Sequence, residues 1–145
     1  MKSLYLGWGN PLLGDDGIGV LIAEELGKLE WPHEVRIIEV GTSIFNFLQE
    51  VSPVRQVIVI DAFRAESPPG CVYRLDTEDV MDYLEQNAHD MSLPTIIKWA
   101  RGITGLPEGL IFYGVEPQQL DFGKGLSVGL KAIVSKIITE IKTEV

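Results

Sequence analysis

The chain has 145 residues, with 12 Lys plus Arg against 21 Asp plus Glu, two His and a single Cys. That length supports one domain spanning residues 1–145, since two cores would each be small for their surface. A formal charge of −9 argues against nucleic acid as a partner, and one Cys excludes a disulfide framework or a multi-thiolate site. In chain order, Leu4 to Trp8 reads as a short strand, followed by a Gly-rich loop from Gly9 to Gly14. Apolar positions at helical spacing predict a helix from about Asp16 to Leu29. Val35 to Val40 is a second strand and Ile44 to Val51 a short helix. The β-branched run Val57-Ile58-Val59-Ile60 shows no alternation, which suits a strand covered on both faces, and it ends at Asp61. After a Pro-Pro-Gly turn, Cys71 to Leu75 is expected as an extra or edge strand. A polar helix around Glu78 to Glu85, a helix around Pro94 to Arg101 and a strand from Leu110 to Val115 follow. Leu126, Leu130, Ile133, Val134, Ile137, Ile138 and Ile141 form one apolar stripe, which predicts a final helix that covers the sheet. Its Lys131, Lys136 and Lys142 fall on the solvent side. The alternation predicts an α/β three-layer sandwich, with a mostly parallel twisted sheet of about five strands and helices on both faces.

No apolar run approaches the ~20 residues that span a bilayer, so no membrane association is expected. The N-terminus turns polar and Gly-rich too soon for a signal peptide, and a cytoplasmic location follows.

Five glycines fall between Gly7 and Gly19, in a strand–loop–helix unit that first suggests nucleotide binding. A dinucleotide fingerprint starting at Gly7 needs glycine at position 12, where the chain has Leu12. The phosphate-loop spacing from Gly9 to Gly14 is present, but Asp15, followed by Asp16, stands where Lys is required. Two carboxylates at a helix start repel a phosphate, so an oxidoreductase or kinase is disfavoured. The loop instead delivers two acids, either of which could cap the following helix.

Asp61 ends the most hydrophobic strand, and ligands of open α/β sheets bind outside the carboxyl ends of strands. That rule places Asp61 near Asp16, although a turn-capping role would put the same residue there. His89 lies in a polar loop and could be a surface residue or a ligand, whereas His33 has nothing to recommend it. Two carboxylates and an imidazole suit a divalent cation such as nickel or zinc, with a position left open for water or substrate. Trp8 reads as strand-end packing rather than a substrate contact. No Ser–His–Asp arrangement is apparent, and Cys71 has no His nearby in sequence, so thiol catalysis is not expected.

Gly7-x-Gly9-Asn10-x-Leu12-x-Gly14-Asp15-Asp16-Gly17-x-Gly19, then Val59-Ile60-Asp61-Ala62, then His89 with Leu93, resembles the hydrogenase maturation endopeptidases. Gly41-Thr42 and Gly114-Val115-Glu116-Pro117 are also similar to that family. The resemblance implies a peptidase that removes the C-terminal extension of a nickel–iron hydrogenase large-subunit precursor once nickel is inserted. It implies Asp16, Asp61 and His89 as the metal-contacting and catalytic residues, with nickel supplied by the nickel-loaded precursor. Cleavage could be assisted by the metal or by a carboxylate acting as general base on water. A non-catalytic metal or small-ligand binding module on the same scaffold is the competing reading.

Overall fold

The computed structural model describes residues 2–41, 56–76, 78–79, 82 and 109–144. Its elements are β1 (Lys2–Trp8), α1 (Ile18–Leu26), β2 (Glu34–Gly41), β3 (Gln56–Ala62), β4 (Val72–Asp76), β5 (Gly109–Val115) and α2 (Val128–Lys142). The five strands form one sheet in the order β2-β1-β3-β5-β4. β1 runs parallel to both β2 and β3, and β3 parallel to β5. β4 pairs antiparallel with β5 at the sheet's end, which is the edge position expected for the segment after the Pro-Pro-Gly turn.

The unalternating run in β3 is buried on both faces, as its composition requires. Ile58 and Ile60 face α1 and α2, packing with Tyr5, Ile22, Tyr113 and Ile137. On the opposite face Leu4, Leu6, Val57, Val59, Leu110 and Phe112 are buried just as fully. Each such side chain contributes about 1.5–3 kcal/mol of hydrophobic stabilisation. With both faces of a mostly parallel sheet covered, the fold is the three-layer α/β sandwich expected.

Boundaries shift for local reasons. Residues Gly14–Gly17 fold as a 3-10 turn, so α1 begins at Ile18, later than the apolar spacing predicts. It ends at Leu26, where the Gly27 amide closes onto Ala23. In α2 the stripe behaves as expected: Leu130, Ile137 and Ile141 are fully buried, and Ile133, Val134 and Ile138 pack beside them. Leu126 joins the same cluster from the segment before the helix. Glu78, Asp79 and Asp82 are helical, in line with the polar helix expected there. The predicted helices at 44–51 and 94–101 lie outside the described residues. Among the described residues no helix is long and apolar enough to cross a membrane.

Tyr5 is fully buried with its ring edge-on to Trp31, centroids 5.2 Å apart. Its hydroxyl has no hydrogen-bond partner among the described residues, and burial together with nearby Glu144 pushes it up to about 12. A buried polar group left unpaired costs about 1–3 kcal/mol. Tyr5→Phe should therefore hold or raise the thermal midpoint; a clear fall in a melting experiment would contradict an unpaired hydroxyl.

The strand order positions the site. The chain passes from β1 to β2 on one side and then to β3 on the other, so the order reverses between β1 and β3. Gly7 pairs with Ile60 at the carboxyl ends of these strands. The loop after β1 and the residue after Ile60 therefore meet at the switch point, where ligands of such sheets bind.

Candidate active site

The Gly-rich loop brings the two acids to that point by close backbone contact. Gly9 has φ +129°, and a Cβ there would run into the Asp16 carbonyl and come within 3.5 Å of Asp61 Oδ1. A Cβ on Gly19 would collide with the carbonyl oxygens of Ile60 and Trp8. Glycine at these positions lets the first turn of α1 lie directly on the ends of β1 and β3.

Asp16 is half-buried, and its Oδ2 accepts the Asn10 amide at 2.8 Å. Asp61 is 8% exposed, and its Oδ1 accepts the Ala62 amide at 2.8 Å. Burial pushes the Asp61 carboxyl well above the usual carboxylate range, and the negative charge of Asp16 pushes it further; the Ala62 amide opposes both. Among the described residues neither carboxylate forms a salt bridge. The structure thus brings together two of the three residues expected at a metal site. His89 lies outside the described residues, and among those described no group of three or more His, Cys, Asp or Glu could hold a metal ion.

Asp15, next to Asp16, does something else. It is fully buried. Its Oδ1 accepts the Ser127 amide at 2.7 Å. Its Oδ2 accepts the Ser127 hydroxyl at 2.7 Å and the amides of Gln118 and Gln119 at 2.8 and 3.0 Å. Burial acts to raise its carboxyl, but these hydrogen bonds outweigh it and hold the group below the ordinary carboxylate range. Neither acid caps α1, whose N-cap is Gly17 with no side-chain bond. Asp15 instead ties the first loop to the segment between β5 and α2, a role that adjacent sequence cannot reveal.

Glu116, just past β5, acts similarly on the loop after Asp61. It is 4% exposed, and its Oε1 accepts the Ala65 and Ser67 amides at 2.9 and 2.8 Å and the Tyr73 hydroxyl at 3.2 Å. Burial raises its carboxyl, but the Ser67 and Ala65 amides and the Tyr73 hydroxyl bring it below the ordinary value. The sequence signal for this role was an acid at the last strand's end followed by Pro117.

Residues 20–144 match the hydrogenase maturation protease (HycI) family. The chain belongs to this family. It is 28% identical over 145 residues to the hydrogenase 2 maturation protease of Escherichia coli K12, covering 97% of this chain and 88% of that relative. Its fold resembles the hydrogenase maturating endopeptidase HybD of E. coli, with a TM-score of 0.84 at 27% identity, over 97% of this chain and 90% of that one. It also resembles the NiFe hydrogenase maturation protease HybD of Thermococcus kodakarensis, with a TM-score of 0.80 at 28% identity, over 99% and 98% of the two chains. As a hydrogenase maturation protease the chain is a peptidase, and the Asp16–Asp61 pair at its switch point is the described cluster with chemistry to offer.

Proposed function

We propose that this protease removes the C-terminal extension of a nickel–iron hydrogenase large-subunit precursor after nickel insertion, in the cytoplasm, and reads the inserted nickel through Asp16, Asp61 and His89. The observation that carries this reading is buried Asp61 beside half-buried Asp16. Two adjacent carboxylates resist being anionic together, and a cation brought by the substrate removes that conflict. Oxygen donors of this kind suit a divalent ion, and the imidazole of His89 would add a nitrogen donor. Nickel belongs here to the substrate and is not a resident cofactor.

What the side chains do follows from their environment. While the pair stands alone, burial and the charge of Asp16 push the Asp61 carboxyl toward its protonated form. A cationic substrate favours its anion, so the site becomes competent as the loaded precursor arrives. A carboxylate of the pair then takes a proton from water as the water oxygen adds to the scissile carbonyl carbon. The carbon–nitrogen bond breaks, and the leaving amine takes up that proton. A site without thiolates should hold nickel less tightly than a thiolate-rich hydrogenase centre, so reading the metal does not become removing it.

The test mixes the protein with nickel-loaded and nickel-free precursor and follows loss of the extension by mass spectrometry. Cleavage of the loaded form alone is expected. Equal cleavage of both forms would remove nickel from the reading, and no cleavage of either would overturn the proposed substrate. A nickel titration of the isolated protein should give weak binding; very tight binding would overturn the sensing argument.

A further inference from the structure

Among the described residues, the large apolar side chains left exposed are Leu12, Leu13, Phe122 and Val128. All four stand on two segments, the loop after β1 and the stretch from β5 into α2. Phe122 and Val128 are 75% and 83% exposed, so they are not strays from the core. The two segments are joined into one platform. Leu13 forms a β-bridge with Phe122, the Gly123 amide donates to the Leu12 carbonyl at 2.9 Å, and buried Asp15 binds across from one to the other. The same two segments, through chain neighbours of these residues, help wall an open cavity of about 420 Å³ lined by Pro11, Gly14, Gly17, Leu21 and Leu126. Lys124 and Lys131 also line it.

We infer that this groove docks the hydrogenase precursor away from the carboxylate pair, taking an apolar segment flanked by acidic side chains. The inference rests on the function proposed above and adds where the substrate protein is held. Exposed apolar patches concentrated in one place mark interaction surfaces, whereas scattered ones do not. The occupant follows from charge. On a chain of net charge −9, two lysines line one groove. Lys124 has only a long, exposed contact with Asp121 at 3.8 Å, and Lys131 has no salt-bridge partner among the described residues. An acidic-flanked apolar segment meets both the lysines and the lining. Position supports the same occupant: Gly14 and Gly17 bracket Asp15 and Asp16, so the groove is built on the turn that presents Asp16 to Asp61. Affinity gained there is the same before and during cleavage, so its loss should appear in KM.

The experiment compares wild type, Phe122→Ser, Lys131→Glu and Lys131→Arg for processing kinetics and for affinity toward the nickel-loaded precursor. All three substitutions are at exposed positions, so melting curves should overlay. Phe122→Ser and Lys131→Glu should each lower kcat/KM tenfold or more, with the loss carried by KM, and Lys131→Arg should retain wild-type values. Added salt should weaken wild type more than Lys131→Glu. Wild-type processing with unchanged KM in both variants would overturn the groove and leave the function standing. A wild-type chain that leaves loaded precursor intact would overturn the function instead. Precursor affinity in the same samples would then decide the groove: weaker binding by the variants supports it, and equal binding overturns it. A wild-type dimer that Phe122→Ser dissociates in sedimentation would also overturn it, by making a second copy the occupant.

Discussion

Asp61→Asn should yield a protein that is more stable and nearly inactive. The amide keeps the side chain's size and can still accept the Ala62 amide, but it carries no charge to bury beside Asp16. Loss of the Asp61 carboxylate, in the role proposed for it of binding the substrate's metal or moving a proton, should lower processing by about 10²–10⁴-fold. Relief of a buried like-charge conflict should add about 1 kcal/mol, the usual gain when a strained functional group is removed, or roughly 4 °C in melting temperature. The sign of the pH dependence follows from the raised Asp61 carboxyl. Between the ordinary carboxylate value and the raised one, the folded state binds more protons than the unfolded state. Wild-type stability therefore falls as pH rises through that window, while the variant escapes this loss. The gap between the two melting temperatures should be small near pH 4 and widen toward neutrality. A variant that melts below wild type at neutral pH, or a gap that ignores pH, would show that Asp61 is a structural acid and not a strained one.

The fold was legible because its signals are local. A β-branched run such as Val57 to Ile60 can satisfy its composition only between two apolar layers, and the stripe on α2 needs only its own spacing. Asp61 could be placed at the switch point because strand order follows from the short connections of alternating elements. The division of labour between Asp15 and Asp16 was not legible. Both acids occupy the same kind of position, and what separates them is the partner each meets. Asp15 meets Ser127, Gln118 and Gln119, more than a hundred residues away, whereas Asp16 meets Asn10 and the field of Asp61. The 3-10 turn hides for a similar reason, since periodicity cannot distinguish it from the start of a helix over four residues. Lys131 faces solvent, as its place on the helix predicts, but only the folded chain shows that this stretch of solvent is a groove.

Asp15→Ala should be strongly destabilising. It removes the acceptor of three backbone amides and one hydroxyl at a fully buried site. Each hydrogen bond to a charged acceptor is worth about 1.5–3 kcal/mol, and the amides would be left buried without partners. A net loss of about 3 kcal/mol or more is expected, or roughly 10 °C in melting temperature. Asp15→Asn should lose less, because a carbonyl oxygen in the Oδ2 position keeps three of the four donors. Its amide nitrogen would then face the Ser127 amide, donor against donor, so it should not recover wild-type stability. The pH signature is opposite to that of Asp61. The folded-state carboxyl is held below its ordinary value, so its stabilisation is complete above the unfolded value of about 3.9 and is lost as pH falls through the lower, folded one. The melting gap between wild type and Asp15→Ala should stay level from about pH 5 to 8 and close in acid. The same bonds hold the two segments of the apolar groove together, so Asp15→Ala assayed well below its melting temperature should also bind precursor more weakly. A variant that melts within about 2 °C of wild type would mean that the carboxylate gains little over water in that pocket, and the platform would then need another explanation for its order.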